Sequence, residues 1–361
     1  MLSYVTLVNL TVFKFLLLFF YYLSRTTLKP ISFLPVIILL FLISLMYYSG
    51  NVISHDSVVY YIPYYNNETW RTFEPGYLLI NEIFQIFGFD SEQFLMSVSI
   101  LTFFLFSYSL YKLNNDFTLF LISLFILFST LSFNFLATGL LRQYIAFVLV
   151  FVSLVFLSKG KNSFYYLLVL VSSSVHFSSL IYLGAIRVCK ISFVNKIKLL
   201  LLSFLLAMFS KPIISIIVYF LPLVSDNIYL KSLTRVLGYS DKNLVHDNYI
   251  FKYSIVFICM LSMGLYYLYK IKGDLSLKVF EVIFSFSVCG FLLSSLSYFS
   301  SEASIRMLYG VVVLNSCAFG VLLRNIDSSF KDVIIGFVLF CLFIYSFFTH
   351  QWITEFVNRY I

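Results

Sequence analysis

The sequence predicts an all-α polytopic membrane protein. Of its 361 residues, 61% are hydrophobic and only 11% are charged. Apolar runs of about 20 residues, the span of a bilayer's hydrocarbon core, recur along the chain. A soluble chain of this size would lack the polar surface to cover its core. A transmembrane barrel is excluded because barrel strands alternate in polarity and these runs do not.

Spanning helices are expected near 4–24, 31–49, 91–113, 117–136, 142–158, 197–223, 249–269, 276–298, 306–323 and 332–349, about 10 in all. The first, "YVTLVNLTVFKFLLLFFYYL", is too long for the apolar region of a signal peptide and is expected to stay as a span. A tyrosine-rich loop, 50–76, follows the second. Next comes "PGYLLINEIFQIFG", 75–88, with Asn81, Glu82 and Gln85 on one helical face and Pro75 at its start. It is too short to cross, so it is expected as a half-helix on the outer side.

Short basic links belong at the cytoplasm. This places Arg25/Lys29, Lys112, Lys159/Lys161, Lys270/Lys272 and Arg324/Lys331 on one side, with the acidic loops 50–76 and 225–248 on the other. Residues 162–188 break the parity, because Arg187, Lys190, Lys196 and Lys198 require cytoplasm again. A re-entrant helical hairpin over 162–188, with "SSSVHFSS" at its tip, restores it. Broken helices at membrane depth are tolerated where protein buries them or a cavity wets them. No internal repeat or linker divides the chain, so 1–361 is expected to form a single transmembrane domain.

The net charge of +8 is scattered singly between spans and sets topology rather than forming a nucleic-acid patch. The 44 Phe and 28 Tyr suit lipid-facing and interfacial surface. The five cysteines have no paired spacing and read as small hydrophobes. There is no helical His-x-x-x-His and no cysteine framework, so no metal site and no cofactor are expected. Mg²⁺, which diphosphate chemistry often borrows, is the unfavoured alternative.

Against this oily background stand Arg142, opening the helix "LLRQYIAFVLVFVSLVF", and Arg306, in "SEASIRMLYG". An ionisable residue within a span costs roughly 2.5–3.5 kcal/mol, so its default reading is functional. Both are expected at the outer leaflet, with His176 at the hairpin tip and the loop that holds Asp56, Arg71 and Glu74. A guanidinium fork binds phosphate oxygens in pairs and stays charged. Neighbouring carboxylates suit the orientation or deprotonation of a hydroxyl. Gln143, Tyr77, Asn81, Arg71 and Tyr309 are the candidate substrate-binding residues around them.

In this order, "HDSVVYY", "EPGYLLINEIFQIFG", "LLRQYIAFVLVFVSLVFLSKGK", "FYYLLVLVSSSVHFSSLIYL" and "IRMLYG" resemble the EpsG family of Wzy-type polysaccharide polymerases over most of residues 50–310. The resemblance implies a glycosyltransferase of the bacterial inner membrane with its active site facing outward. It would join undecaprenyl-diphosphate-linked oligosaccharide repeat units into O-antigen or a related surface polysaccharide. Arg142 and Arg306 would hold the diphosphate, and His176 would line the site. Asp56 and Glu74 would contact sugar hydroxyls, one of them as a candidate base. A chain-length regulator and a flippase are the protein partners such an enzyme would have. Two rivals share the ligand chemistry: a flippase for the same lipid-linked oligosaccharide, and an O-antigen ligase-type transferase.

Overall fold

A computed structural model describes residues 74–129, 133, 136, 140–220, 248–270, 278–297 and 301–323. The expected spans 4–24, 31–49 and 332–349, loop 225–248 up to residue 247, and loop 50–76 up to residue 73 lie outside the described residues. Those described form helices. They divide into two compact units, one including residues up to Phe177 and those from Phe319, the other Ser178–Ala318.

In the first unit, α1 (Pro75–Ile86) is the expected half-helix. Glu74 caps it in an extended conformation and Pro75 opens it, where a missing N–H costs nothing. Its exposed Leu79, Ile83 and Ile86 form one apolar stripe, and Tyr77 and Asn81 are buried on the other side. Next, α2 (Ser91–Asn114) begins with a capping box in which Gln93 N–H donates to Asp90 Oδ1 at 2.8 Å and Asp90 N–H to Gln93 Oε1 at 3.0 Å. It stops at left-handed Asn115. Asp116 then starts α3 (Phe117–Ser129), accepting from Leu119 N–H at 3.0 Å.

The helices α4 (Leu141–Ser158) and α5 (Asn162–Val175) form an antiparallel hairpin. Its turn needs Gly160, whose φ of +75° an L side chain adopts at a cost. Phe106 of α2 packs between Phe133 and Phe151, at centroid distances of 5.2 and 4.8 Å.

The second unit begins in a 3-10 stretch (Phe177–Gly184) and continues through α6 (Ala185–Lys190), α7 (Phe193–Phe220), α8 (Asn248–Lys270), α9 (Lys278–Leu296) and α10 (Ser301–Leu323) as far as Ala318. The helix entered at Asn162 therefore breaks at His176, whose backbone is extended. The break falls inside the sequence predicted for the hairpin tip.

Among the described residues, four helices are long and apolar enough to cross a membrane: Ser91–Asn114, Leu141–Ser158, Lys278–Leu296 and Arg306–Leu323. The chain is a multi-pass membrane protein, all-helical among the described residues. Lipid tails are as apolar as leucine, so helices gain little by hiding leucines and instead pack through small and polar residues. One stretch of α7 follows this rule. Leu201, Leu202, Leu205 and Phe209 are exposed on α7, while Ser203 and Ala207 are fully buried. Ser294 and Ser304 pair their hydroxyls at 2.9 Å between α9 and α10.

One end of the second unit holds a fully buried lysine. Lys196 Nζ lies 3.5 Å from Glu281 Oε2 and 5.6 Å from the Phe193 ring centroid. The Tyr267 hydroxyl donates to the other Glu281 oxygen. Phe193, Phe280 and Phe284 stack around them. The two charges are unequally protected, because the Glu281 side chain is 36% exposed and Lys196 is 0% exposed. Removing the carboxylate therefore strands a buried ammonium, whereas removing the ammonium leaves a partly exposed carboxylate that keeps its bond from Tyr267. Glu281→Ala is expected to destabilise by about 3 kcal/mol and Lys196→Met by about 1 kcal/mol or less. Unfolding midpoints of the detergent-solubilised variants check the order.

Candidate active site

Glu74 is the hub of a three-residue cluster assembled wholly within the first unit. Its Oε2 lies 2.5 Å from Arg142 Nη1 and its Oε1 lies 3.0 Å from His176 Nδ1. Each of the three side chains is about one-quarter exposed, at 24%, 22% and 24% for Arg142, Glu74 and His176. A bound ligand can reach such groups, yet solvent screens them less than at an open surface.

Three helix ends supply the cluster. Glu74 precedes α1, Arg142 is the second residue of α4, and His176 follows the last residue of α5. A cation in the first turn of a helix opposes the helix dipole. Here the Glu74 carboxylate offsets that penalty at α4 and also sits at the positive end of α1, where an anion is favoured. One acidic residue thus serves two helix starts.

The register between α4 and α5 comes from Ser172, whose hydroxyl donates to the Ala146 carbonyl at 2.7 Å. Ala146 is one turn into α4 from Arg142, and Ser172 is one turn before His176. Moving one turn along each antiparallel helix brings Arg142 and His176 to the same level. His176 N–H in turn donates to the Ser172 carbonyl at 2.9 Å, closing the last turn of α5. Ser172 bonds α4, while Ser173 and Ser174 bond the Leu170 and Val171 carbonyls of their own helix.

The third contact depends on Gly76. A Cβ there would lie 2.2 Å from Ser174 Oγ and 2.7 Å from the Ser174 carbonyl carbon, so α1 touches α5 backbone to backbone. Beneath the cluster an apolar floor is built from Tyr77, Phe94, Leu95, Val98, Leu141, Ile145, Ala146 and Val175. The polar groups meet at the edge of a rigid core.

Burial alone would raise the Glu74 carboxyl. The hydrogen bond with His176, Glu74's own backbone N–H and the neighbouring charges of Arg142 and His176 outweigh it and lower the pKa from 4.5 to about 2. Glu74 lies ahead of α1, outside the spanning helices, and stays a carboxylate through the physiological range. With its folded value below its unfolded one, its contribution to stability is complete above pH 4.5 and is lost as pH falls towards 2. Wild-type protein is therefore expected to lose thermal stability across that window, and Glu74→Gln to lose less. A midpoint-against-pH series on both proteins checks this.

The other candidate residues are placed as follows. Gln143 follows Arg142 on α4. Tyr77 and Asn81 are buried on α1, Tyr77 edge-on to Phe94 at 6.5 Å. Asn81 Oδ1 has no hydrogen-bond partner among the described residues. Arg306 and Tyr309 are one turn apart on α10, within the second unit. Asp56 and Arg71 lie outside the described residues. Sequence reasoning overlooked two positions that build the site, Gly76 and the bonding role of Ser172. The Pro75–Gly76 step was the signal for the first. No group of three or more His, Cys, Asp or Glu with metal-site geometry occurs among the described residues.

The sequence pattern of the EpsG family matches residues 33–360, nearly the whole chain. The chain belongs to the EpsG family. That match extends well beyond the 50–310 segment that carries the legible motifs. Within this EpsG-family chain, the Glu74–Arg142–His176 cluster joins three of those motifs, "EPG", "LLRQ" and "SSVHFS". Neither a curated protein nor a solved structure matches the chain.

Proposed function

We propose that the chain is a polysaccharide polymerase, a glycosyltransferase joining undecaprenyl-diphosphate-linked oligosaccharide repeat units at the outer face of the bacterial inner membrane. The observation that carries this reading is the Glu74–Arg142–His176 cluster in a membrane chain of the EpsG family. The bond to be broken joins a sugar to a diphosphate, so negative charge grows on phosphate in the transition state. Pre-placed cations that meet such charge are usually the largest catalytic contribution.

In this reading Arg142 receives the diphosphate, and Gln143 and Arg71 are the residues proposed to meet the glycan; Tyr77 and Asn81, expected there from the sequence, are instead buried. No metal is required, because arginine takes the charge. About ten spans and a re-entrant 162–188 segment would set the cluster towards the outer face. A chain-length regulator would act on the product.

The experiment is reconstitution of the purified protein in vesicles with lipid-linked repeat units, resolving products by length. A ladder of long glycans is expected. Unchanged single units, or units moved across the bilayer without joining, would refute the polymerase reading.

A further inference from the structure

We infer that His176 Nε2 is the general base that takes the acceptor hydroxyl's proton, and that Glu74 is the positioning residue that fixes the imidazole's tautomer. This rests on the polymerase reading and adds the deprotonating group to it. The sequence offered two carboxylates, Asp56 and Glu74, for that task, and the geometry redirects it.

Glu74 is poorly suited to removing a proton itself. Both its oxygens are engaged, one by Arg142 Nη1 and one by His176 Nδ1. A carboxylate whose acid form has a pKa of about 2 is also a weak base. An ionised carboxylate can only accept hydrogen bonds. With Nδ1 3.0 Å from Glu74 Oε1, the hydrogen must reside on Nδ1. In a neutral imidazole the other nitrogen, Nε2, then carries the lone pair. The same logic, a carboxylate holding a histidine in its working tautomer, operates in serine-protease triads.

The backbone supports the assignment. His176 is the residue at which α5 ends, with an extended backbone, and its amide is tied to the Ser172 carbonyl. Ser172 is tied to α4. The ring is thus held by its Nδ1 contact and by a fixed main chain. Among the described residues of the elements packed around it, Glu74 from the start of α1 and Arg142 from α4 are the charged groups of the cluster. Glu74 supplies the negative charge that accommodates an imidazolium beside a guanidinium.

The transfer balances as follows. The acceptor O–H proton moves to His176 Nε2, and the acceptor oxygen forms a bond to the donor's anomeric carbon. The bond from that carbon to the diphosphate oxygen breaks, its electron pair leaving with the lipid diphosphate against Arg142. The imidazolium then returns its proton to water.

The test joins a tautomer measurement to kinetics. Among the protein's four histidines, His176 is assigned in the ¹⁵N spectrum of histidine-labelled protein by the signal that His176→Gln removes. Above the imidazole transition, Nδ1 is expected to be protonated and Nε2 bare. Glu74→Gln, whose amide can donate, is expected to reverse this. In the polymerisation assay His176→Ala should lower kcat by about 10²–10⁴-fold, with at least tenfold recovery in added imidazole. Residual His176→Gln activity should lack the acid-side fall of the wild type. An Nε2–H tautomer in the wild type, or His176→Gln activity within threefold of it, would overturn the inference while leaving the polymerase reading intact. A wild-type protein that makes no polymer would remove both.

Discussion

Arg142→Ala is expected to stop chain extension while the protein still inserts and folds. Arg142 is the guanidinium of the cluster, and an interaction realised mainly in the transition state appears in kcat rather than KM. Loss of one such electrostatic donor costs about 10²–10³-fold. Arg142→Lys should recover little of it, since an ammonium lacks the planar fork that pairs with phosphate. Length-resolved products from reconstituted vesicles give the result. Wild-type glycans from a normally inserted Arg142→Ala protein would end the diphosphate assignment. The substitution also leaves Glu74 without its guanidinium. A wild-type His176 tautomer in the inactive Arg142→Ala protein would place the loss at the substrate; an altered tautomer would place it in the positioning of His176.

Gly76→Ala is expected to rival it, although residue 76 takes no part in the chemistry. The added methyl would sit 2.7 Å from the Ser174 carbonyl carbon and 2.8 Å from its oxygen, and a backbone in the last turn of a helix cannot swing aside. Helix α1 must lift from α5, carrying Glu74 away from His176. A misplacement of about 1 Å costs about 10²-fold in rate. Ser174→Gly added to Gly76→Ala removes the hydroxyl, 2.2 Å away, but leaves the backbone clash. It should therefore not restore activity. Full recovery would mean that only a side chain was in the way and that the helix contact is looser than its distances imply.

Much of the fold was legible because a bilayer imposes its own ruler. Expected spans 91–113, 142–158 and 276–298 meet helices Ser91–Asn114, Leu141–Ser158 and Lys278–Leu296 within two residues at each end. The half-helix after Pro75 and the break at His176 could also be read, one from proline chemistry and the other from a charge count along the chain. The candidate site was legible only as a set of residue types. Arg142, Glu74 and His176 could be nominated as costly groups near the membrane, but their pairing depends on helix register. Ser172 fixes that register through a single hydroxyl bond to Ala146, 26 residues away, which no local pattern announces. The same gap explains why Glu74 was offered as a base. From sequence it is one acidic residue among several, and its two engaged oxygens become visible only when three helix ends meet.

The order of Glu74, Arg142 and His176 along the chain has a consequence for biosynthesis. Glu74 leaves the ribosome 68 residues before Arg142 and 102 before His176. At about 5–20 residues per second, the carboxylate waits several seconds for either partner. Until the hairpin of α4 and α5 emerges, α1 has no surface on which to seat Gly76 and no countercharge for its cap. Seating Gly76 on α5 and closing both Glu74 contacts are therefore late events, set by the emergence of α5.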